Sequence, residues 1–483
     1  MPGALKPLNP LGKKVSFISN GLLYFSAIVF IAFYLVLSFY NRPTNEDVNF
    51  ISIVKGKSIF EFVSWFYSTW CGRWMSSSYY HFILSTSSAY QNIHYVYFVY
   101  YVISLCILIY SLNSIIQSGI KQLFNTSINN KTSITYSILF AAGFYFSTFQ
   151  NIEVWWWIFA TVDHLQGIII LLLGIALVLK QRKSKIHYLL ICLCFIYLGG
   201  SYEIYSLIFG ALTLFSFIYL FYRKIISLSD FRSNYFVKRF GIAFILFFIA
   251  LIVTVSAPGN LKRRKTYVRD HLLITSVSST NTEFPLSGKE FAQKKYLIGL
   301  GLASLWILLG MKIRSNSSAY EKNKRFKKVL LFGCIPLLLS IIITYLFQIL
   351  FLRYYSIPLR GWTFTSFSLF ALFCLVFLIV GYQIRFQSLL LKSTIAVLLP
   401  FIISLSLLFY LFLQYNTTSL YARQYDNLIG SLIKAKKNKE IKVLYVDPLP
   451  DSGMFLPLEI GTDYIDDALK EILELKYDIV VKK

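Results

Sequence analysis

The chain has 483 residues, of which 56% are hydrophobic, 18% aromatic and only 14% charged, against about 25% charged in an ordinary soluble domain. A single water-soluble core is excluded. The formal charge of +25 does not point to nucleic acid as a partner, because the lysines and arginines fall mostly in short segments between apolar runs.

The first apolar run, near 17–40, follows Lys13 and Lys14. It is longer than a signal-peptide core and no A-x-A-like cleavage site follows, so the reading is a retained first helix. Ten more runs lie near 93–116, 132–149, 165–180, 187–200, 204–222, 240–257, 296–312, 329–351, 361–381 and 393–413. Crossing about 30 Å of hydrocarbon at 1.5 Å per residue takes about 20 residues. The expected fold class is therefore an all-α polytopic membrane domain over 1–413 with about 11 transmembrane helices. Runs 187–200 and 204–222 are separated only by a few residues ending at Glu203, which fits either a tight hairpin or a re-entrant pair. The six cysteines lie mostly inside apolar runs and are read as packing residues.

Alternating the loops between two sides gives an orientation. With the N-terminus inside, 23 Lys and Arg fall on the cytoplasmic side, 14 in outer loops before residue 414, and 10 in the C-terminal tail. The positive-inside rule therefore favours an N-inside, C-outside chain. Of the eleven acidic residues before 414, all but Asp230 and Glu321 then face outward. Acidic residues contribute little to topology, so that asymmetry asks for a chemical cause on the outer face.

The first outer loop, 41–92, opens with Glu46 and Asp47 directly after the first span. Adjacent carboxylates repel, which raises one pKa and suits a general base, and they can share a divalent metal. The same residues fit an N-terminal cap for a helix starting near Val48, with Pro43 and Thr44 as turn residues. From Phe60 to Trp74 the aromatic residues recur at helical spacing, as in a helix lying in the membrane interface. Within it, Gly72-Arg73 fits a guanidinium that holds a phosphate or braces a carboxylate.

Further along, Glu153 precedes three tryptophans and Asp163-His164 follows, read together as an outer loop whose aromatic faces and carboxylates suit a sugar. Glu203, between two spans, is a functional candidate or a helix-capping carboxylate. The longest later outer loop, 257–295, opens Ala257-Pro258-Gly259-Asn260 and then carries Lys262, Arg263, Arg264, Lys265 and Arg269. Five basic residues outside run against the positive-inside trend, and a lipid phosphate or pyrophosphate would explain them, as would generic contact with anionic headgroups. Arg353 and Arg360 are two more outer arginines within reach of a phosphate or serving as interfacial anchors. From 414 to 483 acidic residues become frequent. A helix near 419–436, a strand at 441–446, a helix near 463–475 and a strand at 477–481 predict a small α/β extracytoplasmic appendage that leans on the membrane domain or a partner. No P-loop, dinucleotide fingerprint, H-E-x-x-H or G-x-S-x-G motif is present.

An acidic pair just after the first span, followed by an amphipathic loop with tryptophan and Gly-Arg, resembles the GT-C superfamily of integral-membrane glycosyltransferases. More closely, the chain looks like an uncharacterised bacterial membrane family with this first loop, a Glu after a Gly-rich helix end and an Ala-Pro-Gly-Asn segment. The resemblance implies a donor sugar on polyprenyl phosphate or pyrophosphate and an extracytoplasmic acceptor such as a cell-envelope glycan, lipid or protein. It implies an essential first-loop carboxylate, Asp47 or Glu46, with Mg or Mn as the divalent cation where one takes part, held by Asp47. The implied location is the bacterial cytoplasmic membrane. The donor phosphate would be bound by some of Arg73, Lys262, Arg263, Arg264 and Arg269, and the substrate approached by Glu203, Glu153, Asp163, His164, Asn260, Arg353 and Arg360. The rival readings are a polysaccharide polymerase or ligase and a flippase or transporter of lipid-linked glycan.

Overall fold

The computed structural model describes residues 10–86, 90–180, 184–203, 206–207, 209–210, 213–214, 235–263, 265, 294–314, 329, 333–351, 359–384, 389–438, 440–453 and 455–482. The expected run at 204–222 lies almost wholly outside them.

Helix α1, Pro10–Tyr40, starts with proline, whose missing N–H costs nothing in a helix's first turn. Three short helices follow on the same end of the bundle: α2 (Asn45–Val54), α3 (Ile59–Thr69) and α4 (Trp74–Ser85). Helix α5, Ile93–Phe124, returns through the bundle and stops at Asn125, whose φ of 50° is the left-handed conformation of a helix C-terminus. Next come α6 (Asn130–Ser147), α7 (Asn151–Trp156), α8 (Ile158–Lys180), α9 (Lys185–Gly200) and α10 (Tyr235–Val255). Then follow α11 (Lys294–Ser304), α12 (Trp306–Arg314), α13 (Ile335–Phe351), α14 (Thr363–Gln383) and α15 (Leu389–Lys436). The principal helix pairs are α1 with α15, α9 with α10, α12 with α14, and α5 with α8. A buried 2.6 Å hydrogen bond between the Ser26 and Ser404 hydroxyls joins α1 to α15, the kind of short polar contact that holds helices together in lipid.

Among the described residues, six helical stretches are long and apolar enough to cross a membrane: Lys14–Tyr40, Tyr90–Phe124, Ile158–Lys180, Lys295–Arg314, Arg360–Gln383 and Ser393–Lys436. Three apolar helices are shorter, Lys185–Gly200, Phe240–Val255 and Ile335–Leu346. The chain is thus membrane-embedded and helical, but the expected eleven spans are not reached among the described residues. Helix α6 falls short because Asn130 and Lys131, followed by Thr132, Ser133, Thr135 and Ser137, make its first half polar.

Helix α15 passes through residues 413 and 414 without a break. Its 48 residues extend to about 72 Å at 1.5 Å per residue. The change in composition marks where the helix leaves its apolar surroundings, not where it ends. Beyond it, β1 (Val443–Val446) and β2 (Asp478–Val481) pair in parallel around α16 (Asp463–Leu473). This small α/β unit rests on the first loop and on the stem of α15. Asn45 exchanges two hydrogen bonds with Glu459, Lys55 Nζ donates to the Glu471 and Ile472 carbonyls, and the Tyr477 hydroxyl donates to the Leu432 carbonyl.

Candidate functional site

The described acidic residues expected to face one side do share one end of the bundle, the end where α1 finishes and α2 to α4 lie. The opposite end carries Lys312, bonded to Thr132, and Arg314, bonded to the Gln383 carbonyl.

The first loop is built by a capping box. Thr44 is the N-cap of α2: its hydroxyl accepts from the Asp47 N–H (3.4 Å), and Asp47 Oδ2 accepts from the Thr44 N–H (3.1 Å). Tyr80, on α4, donates its hydroxyl to Asp47 Oδ1 at 3.0 Å. Asp47 is completely buried, and burial pushes its carboxyl up to about 7 against the pull of the Thr44 and Tyr80 hydrogen bonds. Glu46 differs. It is exposed, and its carboxyl is raised by desolvation and by Glu153, with Arg360 pulling the other way.

Arg360 and Glu153 meet at 2.5 Å, with the Arg360 guanidinium 5.0 Å above the Trp157 ring. The Gln150 amide also donates to Glu153. Next to this pair, Lys295 Nζ donates to the Phe149 carbonyl (3.0 Å) and to Asn151 Oδ1 (3.4 Å). Two aromatic contacts pack the first loop against the start of α8, with Phe50 stacked on Phe159 at 5.1 Å and Tyr80 edge-on to Phe159 at 5.2 Å. Trp155 and Trp156 are fully buried core residues, bonded to Thr148 and Tyr145. They are packing, not a sugar platform.

A second group brings together three sequence candidates in an arrangement different from the one expected. Arg73 Nε donates to Glu203 (2.9 Å), Arg73 Nη1 donates to Asp163 (2.5 Å), and its guanidinium lies 4.3 Å from the Tyr202 ring centre. Burial would lower the Arg73 pKa, yet Glu203 and Asp163 hold it well above its ordinary value. Arg73 is therefore a brace between two carboxylates, engaged on both faces of its fork, and the phosphate-binding expectation does not suit it. Asp163 and His164 do not form a loop either. They sit in a π turn, Thr161–Leu165, inside α8, and are nearly fully buried, with His164 edge-on to Tyr202 at 4.5 Å. A π turn widens a helix by one residue and re-aims side chains, here turning Asp163 toward Arg73.

The Ala-Pro-Gly-Asn segment packs on Gly72. Asn260 Oδ1 accepts from the Gly72 N–H (3.2 Å), and its amide donates to the Thr254 carbonyl (2.9 Å). A Cβ on Gly72 would lie 1.8 Å from the Thr254 oxygen, and one on Gly259 would lie 2.7 Å from the Tyr67 oxygen. Asn260 is thus a backbone stitch between α10 and the first loop. Lys262 is exposed, and Arg263 lies 5.9 Å from the Trp70 ring centre. Arg264, Arg269 and Arg353 lie outside the described residues.

Among the described residues, no three His, Cys, Asp or Glu side chains converge as a metal site. Asp47 does not fit Mg or Mn, because both carboxylate oxygens already accept hydrogen bonds in a closed pocket and Glu46 stands apart on the surface. Sequence reasoning did not single out Tyr80, Lys295, Arg42 or Asp426. Tyr80 and Asp426 carried no local signal, and Arg42 and Lys295 were two among fourteen outer basic residues.

No model of a known protein family matches this chain, and no curated protein matches it.

Proposed function

We propose that the chain is a membrane glycosyltransferase. It moves a sugar from a polyprenyl-phosphate or pyrophosphate carrier to an acceptor on the outer side of a bacterial cytoplasmic membrane, such as an envelope glycan, lipid or protein. The observation that carries this reading is the exposed Glu46 within electrostatic reach of the Arg360–Glu153 pair. A carboxylate raised above its ordinary value and a cation beside it are what an acceptor hydroxyl and a leaving phosphate need.

In this reading Glu46 takes the proton from the acceptor hydroxyl. The acceptor oxygen bonds to the anomeric carbon as the carbon–oxygen bond to the carrier phosphate breaks, and the electron pair leaves with the phosphate. Arg360 and Lys295 offset the growing negative charge, and the single displacement inverts the anomeric centre. Asp47 is a positioning residue: its capping box fixes the first turn of α2 and so the place of Glu46. Compared with the first-loop expectation, the group that touches substrate becomes Glu46.

Glu46→Gln, assayed for transfer from a panel of polyprenyl-phosphate hexoses in purified membranes, should lower the rate by about 10²- to 10⁴-fold, the usual contribution of a general base. Full transfer by this variant would overturn the proposal. Glycan export lost with transfer intact would favour a transporter.

A further inference from the structure

We propose that the cavity between the start of the first loop and the stem of α15 is a binding site for a neutral carbohydrate. The cavity measures about 280 Å³, at the small end of ligand pockets, which start near 300 Å³. Its floor is Arg42, buried and paired through two parallel hydrogen bonds with Asp426 (2.7 and 2.6 Å). Arg42 Nη1 donates to the Phe39 and Asn41 carbonyls, so four of its five N–H donors are spent within the protein. The two formal charges of the lining therefore cancel within one fork, and the lining offers an anion no net positive charge. Asp426, half exposed on its side chain, keeps lone pairs for hydroxyl donors, because each carboxylate oxygen has more than one acceptor site.

The other walls match the same chemistry. Tyr90 and Tyr425 share a hydrogen bond between their hydroxyls and both line the cavity. His94 Nδ1 lies 3.0 Å from the Gln91 carbonyl. A carbonyl only accepts, so Nδ1 donates and Nε2 of the neutral ring remains an acceptor. Aromatic surface, a held carboxylate and a ring acceptor are the elements that recognise a polyhydroxylated ring.

Gly430 is an independent sign that the space is kept open. It lines the cavity from inside α15, where glycine costs about 1 kcal/mol relative to alanine. No atom lies within 4 Å of where its Cβ would stand, so no packed neighbour demands glycine there. A side chain at 430 would fill the cavity.

Carbohydrate binding here is independent of the transfer chemistry, whereas its role as an acceptor subsite rests on the glycosyltransferase reading. The test is saturation-transfer NMR on the full chain in lipid nanodiscs, which avoid sugar-headed detergents. The probes are glucose, galactose, rhamnose and N-acetylglucosamine, compared with glucuronate and inorganic phosphate. At least one neutral sugar should bind, with Gly430→Leu abolishing the signal and His94→Ala weakening it about tenfold, neither variant melting below the parent. Absence of any neutral-sugar signal, preference for the anions, or a signal unchanged in Gly430→Leu would overturn the site. Glu46→Gln should leave this binding intact, so transfer absent from the parent chain with sugar binding present would sink only the enzymatic reading. Transfer present with the cavity inert would sink only this one.

Discussion

Tyr80 reaches across from α4 to donate its hydroxyl to Asp47 over 3.0 Å, so the carboxylate that opens the first loop is sealed on one oxygen by a side chain and on the other by the Thr44 backbone. The pair turns α2 and α4 into one unit and leaves Glu46, one residue earlier, as the carboxylate facing outward.

This arrangement has a pH signature. The Asp47 carboxyl is pushed from 3.8 up to about 7 by burial, so between those values the folded chain binds a proton that the unfolded chain has released. Stability contributed by the protonated form is complete below about pH 4 and is lost as pH rises to about 7. Asp47→Asn removes that titration while weakening a cap worth about 1 kcal/mol. Melting temperatures followed from pH 5 to pH 8 should fall more for the parent than for Asp47→Asn, and parallel curves would contradict the closed pocket.

The Arg73 brace predicts a large, non-additive cost. Removing one member of a buried ion pair typically costs about 3–5 kcal/mol, whereas replacing all partners with apolar groups of similar size costs far less. Arg73→Ala should strip the chain from detergent-stable folded material, and Arg73→Met combined with Asp163→Leu and Glu203→Met should recover much of that loss. Thermal unfolding in one detergent compares them directly, and equal loss in both would mean that the three charges do not act as a unit.

The local features of this fold were legible because their causes are local. The helix expected near Val48 begins at Asn45, three residues earlier, with Thr44, expected as a turn residue, as its N-cap; the run near 17–40 lies within α1. The tail's two strands and its second helix came within two residues of their expected bounds for the same reason. The partners of Arg73 were hidden, because Asp163 and Glu203 lie 90 and 130 residues away and nothing in sequence marks a π turn that aims one of them. The unbroken α15 was hidden because an apolar run followed by a polar helix reads from composition as two separate elements. Gly72 and Asn260 stood out as motif residues, yet their contact across 188 residues makes them a packing device.

That packing device is tested by a single methyl group. Gly72→Ala places a Cβ 1.8 Å from the Thr254 oxygen, a backbone atom that rotamer change cannot move. Overpacking of this kind costs about 1–3 kcal/mol. Gly21→Ala is the control, because nothing lies within 4 Å of its Cβ position and alanine is favoured inside a helix by about 1 kcal/mol. Gly72→Ala should lower the melting temperature and Gly21→Ala should leave it unchanged or raise it; equal behaviour would separate the first loop from α10.

The orientation of the bundle decides whether its carboxylate end meets an outer acceptor. Lys and Arg counts favour an N-inside chain by 23 to 14 before the tail, and a biased loop charge sets orientation through the energetics of insertion. Lys265 and Asp451 are exposed at the end that carries Glu46, while Lys121 is exposed at the other. Five of the six native cysteines are buried and all six are free, so introduced thiols report with little background once Cys106 is replaced by serine. In intact cells, a membrane-impermeant maleimide should label Lys265→Cys and Asp451→Cys and spare Lys121→Cys until the membrane is permeabilised. The reverse pattern would turn the carboxylate end toward the cytoplasm, where an acceptor on the outer surface could not reach Glu46.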